Sequence, residues 1–552
     1  MKQVLLTFAL LLFVSPSFGQ DAPRLVLQLT VDGLRGDLLD RYRHHFGRDG
    51  FRYLLDNGVV YTDAHYQHAN TETIVGHATL ATGAQPARHG LIGNVWYDNQ
   101  TGELAYNIED SRYPLLDTRA EMREGAQVDP AQKQARTDGR SPTAMLVPTF
   151  SDTLAAAVGN DAKIFGIAGK DRSAVAMAGH VGKAFWYSTN TSDFQSSSYY
   201  YDDYPQWVKD WNGERRAEGF AGKRWDLLLE KDRYQWAERD DRPYEVDLRG
   251  YGRTFPHPFG LIGDPLFPTR LLISPHGDQL LLEFAQALME AESIGRDAVT
   301  DYLSISFSAV DAVNHFFGVA SLENEDVVVQ LDRTLAQLLR YVDKSVGLEN
   351  TLIVLSADHG MAEMPEYMQE LGYPAGRKYN EQVLDLANQL GQEYFGVESI
   401  AKTFFRPSLY LDREVITQAG LDIDEVSAEL AAQLTAEKSI GLAAATHELL
   451  SREHSGLAGQ MQRNSHPERS GDIYVAQAPY WFMFEKGAVA AMHGSPWAYD
   501  THVPIIFAGK GIKGQKVTRR VHPVDVAPTL SALLGFSAPA GSEGEVLREV
   551  LQ

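Results

Sequence analysis

The sequence predicts an α/β fold, in which a central and mostly parallel sheet is flanked by helices. Short β-branched runs each end in a polar residue or a glycine turn, and such near-continuous apolar strands suit a parallel sheet buried on both faces. Amphipathic patterns over residues 280–291 and 327–342 predict helices between the strands. This alternation indicates an open sheet whose functional residues lie at the carboxyl ends of the strands. The predicted strands cover residues 25–31, 164–168, 302–307, 352–355 and 503–507.

Two stretches interrupt this pattern, and we interpret both as insertions that cap a single catalytic domain spanning residues 21–552. Residues from about 181 to 275 are rich in aromatic side chains, which are more typical of cap packing than of ligand stacking. Residues from about 365 to 488 contain a helical pattern at 379–394, a strand at 403–411 and a second helical pattern at 423–434.

The first twenty residues have the pattern of a secretory signal peptide. Lys2 precedes an apolar run over residues 4–14, and small residues follow at Ser17 and Gly19. An N-terminal membrane anchor is the alternative, but the run is shorter than the ~20 apolar residues that span a bilayer. We therefore expect residues 1–20 to be removed and the protein to be periplasmic or secreted.

The composition excludes several classes of function. The chain of 552 residues has no cysteine, which excludes disulfides and thiolate ligands and leaves stability to a large core and bound metal. The formal net charge of −23 disfavours nucleic acid and anionic membrane surfaces as partners. It does not disfavour a small anionic substrate, because local metal and Lys/Arg charges control a site. We expect a monomer that acts on small molecules.

Three carboxylates and three imidazoles lie just past strand-like runs or in glycine-rich turns. Such mixed sets suit borderline divalent metals such as Zn²⁺, and six ligands are enough for two ions. Two metals about 4 Å apart are suited to in-line displacement at phosphorus. The residues are Asp32, Asp311, His315, Asp358, His359 and His493.

Thr73 is the candidate nucleophile, because it lies where a turn gives way to a helical run. A helix N-terminus offers free N–H groups and the positive end of a dipole to a phosphate. A threonine hydroxyl is a poor nucleophile at neutral pH, and a divalent cation would ionise it. An ordinary helix N-cap is the alternative explanation of a lone threonine at this position.

These motifs together resemble the alkaline phosphatase superfamily. The segment from Thr73 to His77, followed by residues 82–94, is similar to the branch with a threonine nucleophile and an oxyanion-binding asparagine, here Asn94. Val31-Asp-Gly-Leu-Arg, the Asp311/His315 pair, Ala357-Asp-His-Gly-Met and the segment 522–535 match the same pattern. The matches run in consistent order from residue 24 to about residue 537.

The resemblance implies an alkaline phosphatase-like fold with two zinc ions. The ions would be held by two sets of residues, Asp311, His315 and His493 for the first and Asp32, Asp358 and His359 for the second, which would also bind the Thr73 oxygen. The second ion would ionise Thr73, and the first would stabilise the departing oxygen and then activate water to cleave a phospho-threonine. Asn94 would donate its amide N–H to a non-bridging oxygen.

Two histidine assignments stay open at this point. The superfamily pattern favours His493, which precedes a glycine, but His502 lies close in sequence and would otherwise be structural. His77 either orients the nucleophile helix or is a packed core residue. The remaining histidines near the N-terminus have no motif support and are expected on the surface or in loops: His44, His45, His65 and His68.

Lys170 and Arg172 decide between a monoester and a diester substrate. They follow the predicted strand 164–168, and on an extended segment residues two apart project to the same side. A terminal phosphoryl group has enough charged oxygens to bind both cations, whereas a diester has one charged oxygen fewer. A solvated pair of cations is the alternative. Lys-x-Arg at this place resembles the PafA-type alkaline phosphatases, which are periplasmic monoesterases.

The sequence therefore predicts an exported, zinc-dependent hydrolase of phosphate monoesters. A phosphodiesterase or nucleotide pyrophosphatase of the same superfamily is the alternative. A catalytically inactive protein that binds phosphorylated ligands is a further alternative, but it predicts a lost ligand or nucleophile, and every expected position is filled.

Overall fold

The computed structural model describes residues 22–99, 101–117, 129–159, 161–487 and 489–552. The predicted signal peptide, residues 1–20, lies outside these ranges. Within them, no helix is both long enough and apolar enough to cross a membrane.

The elements are numbered in chain order. The strands are β1 (Leu25–Val31), β2 (Val59–His65), β3 (Val95–Asp98), β4 (Glu103–Tyr106), β5 (Ile164–Ala168), β6 (Lys183–Tyr187), β7 (Phe194–Gln195), β8 (Arg224–Trp225), β9 (His257–Pro258), β10 (Asp301–Phe307), β11 (Thr351–Ser356), β12 (Gly376–Tyr379), β13 (Ala401–Phe405), β14 (Ser408–Leu411), β15 (Ile440–Ala445), β16 (Ile473–Gln477), β17 (Trp481–Phe484), β18 (His502–Gly509) and β19 (Gln515–Val517). The helices are α1 (Leu38–Arg41), α2 (Phe51–Asn57), α3 (Thr73–Thr82), α4 (Pro86–His89), α5 (Phe150–Val158), α6 (Asp171–Ala178), α7 (Gln206–Gly213), α8 (Phe267–Leu272), α9 (Pro275–Ala291), α10 (Ala309–Phe317), α11 (Leu322–Ser345), α12 (Pro365–Glu370), α13 (Asn380–Phe395), α14 (Arg413–Gln418), α15 (Ile423–Thr435), α16 (Thr446–Ser451), α17 (Gly456–Asn464), α18 (Ala498–Thr501) and α19 (Val526–Leu533).

Nine strands form the central sheet, in the order β19-β2-β18-β11-β1-β10-β5-β6-β7. Every neighbouring pair from β11 to β6 is parallel, and β19 is parallel to β2. The predicted class, an α/β fold with a mostly parallel sheet flanked by helices, is confirmed. The run at 503–507 does form a strand, but β18 is antiparallel to both of its neighbours. An apolar run indicates that a strand is buried on both faces, but it does not indicate whether the strand runs parallel or antiparallel to its neighbours.

The core lies on both faces of this sheet because side chains alternate along each strand. Leu25, Leu27, Leu29 and Val31 of β1 pack into one cluster with apolar residues of α9 and α11. Val26 packs into a second cluster on the opposite face with residues of α5 and α19. Burial on both faces fixes the register of the central strands and therefore the positions of the residues that follow them.

The second predicted insertion carries a separate antiparallel sheet, in the order β13-β14-β16-β15. The predicted helices at 379–394 and 423–434 correspond to α13 and α15. The single strand predicted at 403–411 is wrong, because the chain turns at Arg406-Pro407 and β13 pairs with β14 as a hairpin. Proline lacks the N–H that a continuous strand would need there.

Part of the first predicted insertion lies in the central sheet. Residues 183–187 and 194–195 form its edge strands β6 and β7. The rest of that stretch contributes aromatic residues to the cluster on the same face as α9, including Trp211, Trp225 and Tyr251. This agrees with the expectation of packing rather than ligand stacking for these aromatic side chains.

Candidate active site

Three adjacent strands of the central sheet deliver the three carboxylates. Asp32 follows β1 directly, Asp358 follows β11 by two residues, and Asp311 lies in the first turn of α10 after β10. The strands β11, β1 and β10 are neighbours, so their carboxyl ends place these side chains at one edge. All three carboxylates are fully buried.

The three predicted imidazoles share one orientation. His315 Nδ1 donates to the carbonyl oxygen of Ala491 at 3.0 Å, and because a carbonyl only accepts, Nδ1 carries the proton. The same holds for His493 Nδ1, 2.8 Å from the Thr71 carbonyl, and for His359 Nδ1, 2.7 Å from the Gly360 carbonyl. In its neutral form, each imidazole is therefore held in the tautomer whose unprotonated nitrogen is Nε2, the atom that would bind a cation.

The Nε2 atoms point at the carboxylates. His315 Nε2 lies 3.3 Å from Asp311 Oδ2 and His493 Nε2 lies 3.7 Å from Asp311 Oδ1. His359 Nε2 lies 3.3 Å from Asp32 Oδ1 and 3.4 Å from Asp358 Oδ2. The His359 and His493 rings stack at 3.5 Å. The six predicted ligands are thus brought together.

This donor set fits divalent cations. Asp311, His315 and His493 can converge on one point, and Asp32, Asp311 and His359 can converge on a second. Asp32 Oδ1, Asp311 Oδ1 and Asp358 Oδ2 are buried, make no hydrogen bond of normal geometry and have imidazole nitrogens 3.2–3.7 Å away, an arrangement that is costly unless a cation takes these oxygens up. Asp311 therefore faces both candidate cation positions, whereas the sequence prediction assigned it to the first ion alone. The other oxygen of Asp358, Oδ1, accepts hydrogen bonds from the N–H groups of Gly33 and His359.

The protonation of the site follows from this crowding. Burial lowers the pKa of His359, but Asp358 and Asp32 outweigh it and raise that pKa to about 9. Burial raises the pKa of Asp358, but His359 and His77 lower it to about 2. Burial and the charge of Asp358 raise the pKa of Asp32. The site is an electrostatically frustrated cluster that additional positive charge would relieve.

Thr73 is the first residue of α3 and is fully buried. Its Oγ1 lies 3.5 Å from His359 Nε2, and Glu72, not Thr73, occupies the N-cap position, so the capping alternative does not describe this side chain. Gly76, one turn later, lets the helix approach Asp358: a Cβ at Gly76 would lie 1.9 Å from the Asp358 carbonyl oxygen. The helix end therefore sits directly against the carboxylate segment.

His77 links this helix to the sheet. Its Nδ1 donates to the Thr73 carbonyl at 2.9 Å and lies 3.2 Å from Asp358 Oδ2, and its Nε2 lies 2.8 Å from Ser306 Oγ. These contacts favour an orienting role over simple packing.

Asn94 is held with its amide N–H₂ group available. Its Oδ1 accepts from the Ile74 N–H at 3.1 Å, and its backbone N–H donates to Glu72 Oε2 at 2.6 Å. Because the amide oxygen is occupied by a donor of α3, the Nδ2 group is the remaining donor of this side chain. Asn94 lines the same cavity as Asp311 and His493.

Lys170 and Arg172 line this cavity too, but not as predicted. The expectation of an extended segment is wrong: Lys170 is extended, whereas Arg172 lies in the first turn of α6. Lys170 Nζ lies 2.8 Å from Asp32 Oδ2 and 2.5 Å from Asp311 Oδ2. Arg172 pairs with Asp129 at 2.7 Å, and its Nε is buried without a hydrogen-bond partner.

Sequence reasoning missed a buried ion pair that joins several of these groups. Arg406 Nη2 lies 2.8 Å from Glu72 Oε1, and its Nη1 donates to the carbonyls of His493 at 2.7 Å and Gly494 at 3.0 Å. Gly494 has φ +99°, and a Cβ there would lie 2.3 Å from Arg406 Nη2. No local sequence pattern predicts this pair, because its members are 334 positions apart.

The other histidines lie outside the cluster. His502 Nε2 lies 3.1 Å from the Thr62 carbonyl, and its ring stacks on His65. The expectation of surface or loop positions is wrong for His45, which is buried against Glu325, and for His65, which ends β2 and is partly buried. His68 does lie in a loop, where it is buried against Gln85. Isolated histidines carry no periodic signal that would separate these environments.

The geometry is that of a metal-dependent phosphoesterase of the alkaline phosphatase superfamily. The family model described as type I phosphodiesterase / nucleotide pyrophosphatase matches residues 26–496. Alkaline phosphatase PafA of Elizabethkingia meningoseptica is 31% identical over 536 residues, covering 96% of this chain and 94% of PafA. A Myroides odoratus protein named calcium-transporting ATPase is 31% identical over 537 residues, covering 96% and 95%.

The structure of wild-type PafA is similar to this fold, with a TM-score of 0.86 at 29% identity, over 96% of this chain and 99% of that chain. The chain belongs to the type I phosphodiesterase / nucleotide pyrophosphatase family, as a PafA-type member of the alkaline phosphatase superfamily. The predicted resemblance is confirmed.

Proposed function

We propose that this protein hydrolyses phosphate monoesters at a site that holds two Zn²⁺ ions, with Thr73 as the nucleophile. The observation that carries the proposal is the orientation of three imidazoles, each held through Nδ1 by a backbone carbonyl while Nε2 faces a carboxylate beside the Thr73 hydroxyl. Asp311, His315 and His493 would hold one ion, and Asp32, Asp358 and His359 the other. When bound, such ions supply positive charge for a nucleophilic oxygen and for the phosphoryl oxygens.

The chain's own residues position the reaction. Helix α3 presents its N-terminus to the phosphoryl group, and Thr73 Oγ1 attacks phosphorus to give a phospho-threonine while the ester oxygen leaves. Water then cleaves the phospho-threonine, and two in-line displacements give net retention at phosphorus. Asn94 Nδ2 donates to a non-bridging oxygen, a role that its occupied Oδ1 leaves it free to fill.

Lys170 and Arg172 would recognise the terminal phosphoryl group. Both line the cavity into which Asn94 and Asp311 face. A dianionic monoester presents one more charged oxygen than a diester, and the two cations favour it. The PafA and PhoV proteins, named alkaline phosphatases and about 30% identical, support this substrate class.

Two substitutions test these roles. Thr73→Ala should abolish hydrolysis of an aryl monophosphate, and undiminished turnover would contradict the proposal. Replacing Lys170 and Arg172 together by Ala should depress turnover of the aryl monophosphate at least tenfold more than turnover of the bis-aryl diester. Equal or faster diester hydrolysis by the unmodified protein would instead identify a phosphodiesterase.

We also propose that residues 1–20 direct export, and that residues 21–552 act as one catalytic domain with two caps, as a periplasmic or secreted monomer. N-terminal sequencing of the protein recovered from the periplasm should begin at residue 20 or 21. Recovery with Met1 intact would contradict export by cleavage.

A further inference from the structure

Among the described residues, a cavity opens onto one side of the site. Its lining includes Asp311, His315 and His493, together with Asn94 and the two cations described above. Among the described residues, this lining does not include Asp32, Thr73, Asp358 or His359, which lie behind it and are fully buried.

This asymmetry fixes where the organic group of a substrate must lie. In an in-line displacement the attacking and leaving oxygens stand on opposite sides of phosphorus. Because Thr73 lies on the closed side, the ester oxygen and its substituent must extend into the cavity, past Asp311, His315 and His493.

The cavity beside those three residues is walled by apolar side chains. On α10, Ala312 and Phe316 lie one turn apart on the face that also carries His315, and Met492 directly precedes His493. The wall is completed by Leu272 and Ile273, at the end of α8, by Phe405 and Phe484, from the second insertion, and by Val489, just past it. The lining also contains other polar and charged residues, among them Glu72, Asp129, Asp138, Arg140 and Asn190, while Lys170 and Arg172 mark the phosphoryl end.

We propose that this wall is a subsite for an apolar or aromatic ester group, so that the preferred substrates are monophosphates of apolar alcohols and phenols. The inference rests on the proposed function and deepens it. An apolar group placed there leaves water for a surface that is mostly apolar, which favours binding in proportion to the apolar area covered.

The test compares two phosphonates, which carry the same charged group and do not release it. With zinc-loaded full-length protein, benzylphosphonate should inhibit hydrolysis of an aryl monophosphate competitively and at least tenfold more tightly than methylphosphonate. Phe484→Ala should reduce this preference at least threefold. Leu272 also lines the cavity and is only partly buried, so Leu272→Ser should do the same if Phe484→Ala does not fold.

Phe220→Ala is the matched control, because Phe220 packs against Phe259 and His276 away from the cavity. It should leave the benzyl preference unchanged. Equal inhibition by the two phosphonates, with inorganic phosphate still competing, would overturn the subsite and leave the proposed function standing. If neither the phosphonates nor inorganic phosphate competes, the proposed function fails and the subsite with it.

Discussion

The buried pair of Arg406 and Glu72 provides the sharpest test of how the second insertion supports the site. Their side chains are 1% and 3% exposed and 2.8 Å apart. Arg406→Met keeps the apolar volume of the side chain but removes the charge and both hydrogen bonds to the loop that carries His493. Glu72 keeps its bond from the Asn94 N–H at 2.6 Å but loses its counter-ion.

The expected loss follows from these contacts. Removing one partner of a buried ion pair costs about 3–5 kcal/mol, because the remaining charge stays buried without compensation. The two lost hydrogen bonds to carbonyls, at about 1.5–3 kcal/mol each for a charged donor, account for a loss of this size. Combining Arg406→Met with Glu72→Gln removes both charges, so the double variant should recover about 2 kcal/mol relative to additivity.

Urea unfolding of the zinc-loaded protein measures this, with phosphate affinity as the functional readout. Arg413→Met is the matched control, since Arg413 also pairs with an aspartate in the second insertion, Asp472 at 2.5 Å, but is 62% exposed. It should cost less than about 1 kcal/mol. A loss below about 1 kcal/mol for Arg406→Met, or no coupling with Glu72→Gln, would refute the reasoning.

Three further predictions follow from other parts of the structure. Gly76→Ala should cost at least about 3 kcal/mol in urea unfolding, because its Cβ would meet the Asp358 carbonyl, whereas Gly213→Ala, which meets nothing within 4 Å, should be neutral or slightly stabilising. Burial raises the pKa of Asp278 to about 7, so its contribution to stability is lost as pH rises from about 4 to about 7. Asp278→Asn should therefore gain about 2–3 kcal/mol relative to wild type between pH 5 and pH 8, unlike exposed Asp232→Asn; a constant difference would contradict it. A chelator should abolish hydrolysis and lower the melting temperature, and Zn²⁺ should restore both; activity that survives metal removal, verified by elemental analysis, would exclude the metal site.

The sequence was most informative where burial on both faces constrains the chain. The strands β1 and β5 begin and end at the predicted residues, and Asp32 and Asp358 therefore lie where the sheet argument expects them. Strand direction could not be predicted for β18, because an apolar run looks the same in either direction.

The side-chain geometry of the site was less accessible. The helix that begins at Asp171 rotates Arg172 away from the side expected for an extended segment, and a strand end gives no signal for such a start. Arg406 and Glu72 meet only because a loop of the second insertion reaches the N-terminus of α3. Long-range ion pairs of this kind produce no periodic pattern from which a single sequence could predict them.

Because β11, β1 and β10 are neighbouring strands, the sheet sets the spacing of the three carboxylates that follow them. Neighbouring strands lie about 4.8 Å apart, a spacing dictated by main-chain hydrogen bonds and close to the ~4 Å between paired cations. The spacing of the three carboxylates is therefore set by the backbone of the sheet. A one-residue slip at the end of β1 would turn Asp32 to the opposite face, away from His359, so the cluster depends on the register of this strand.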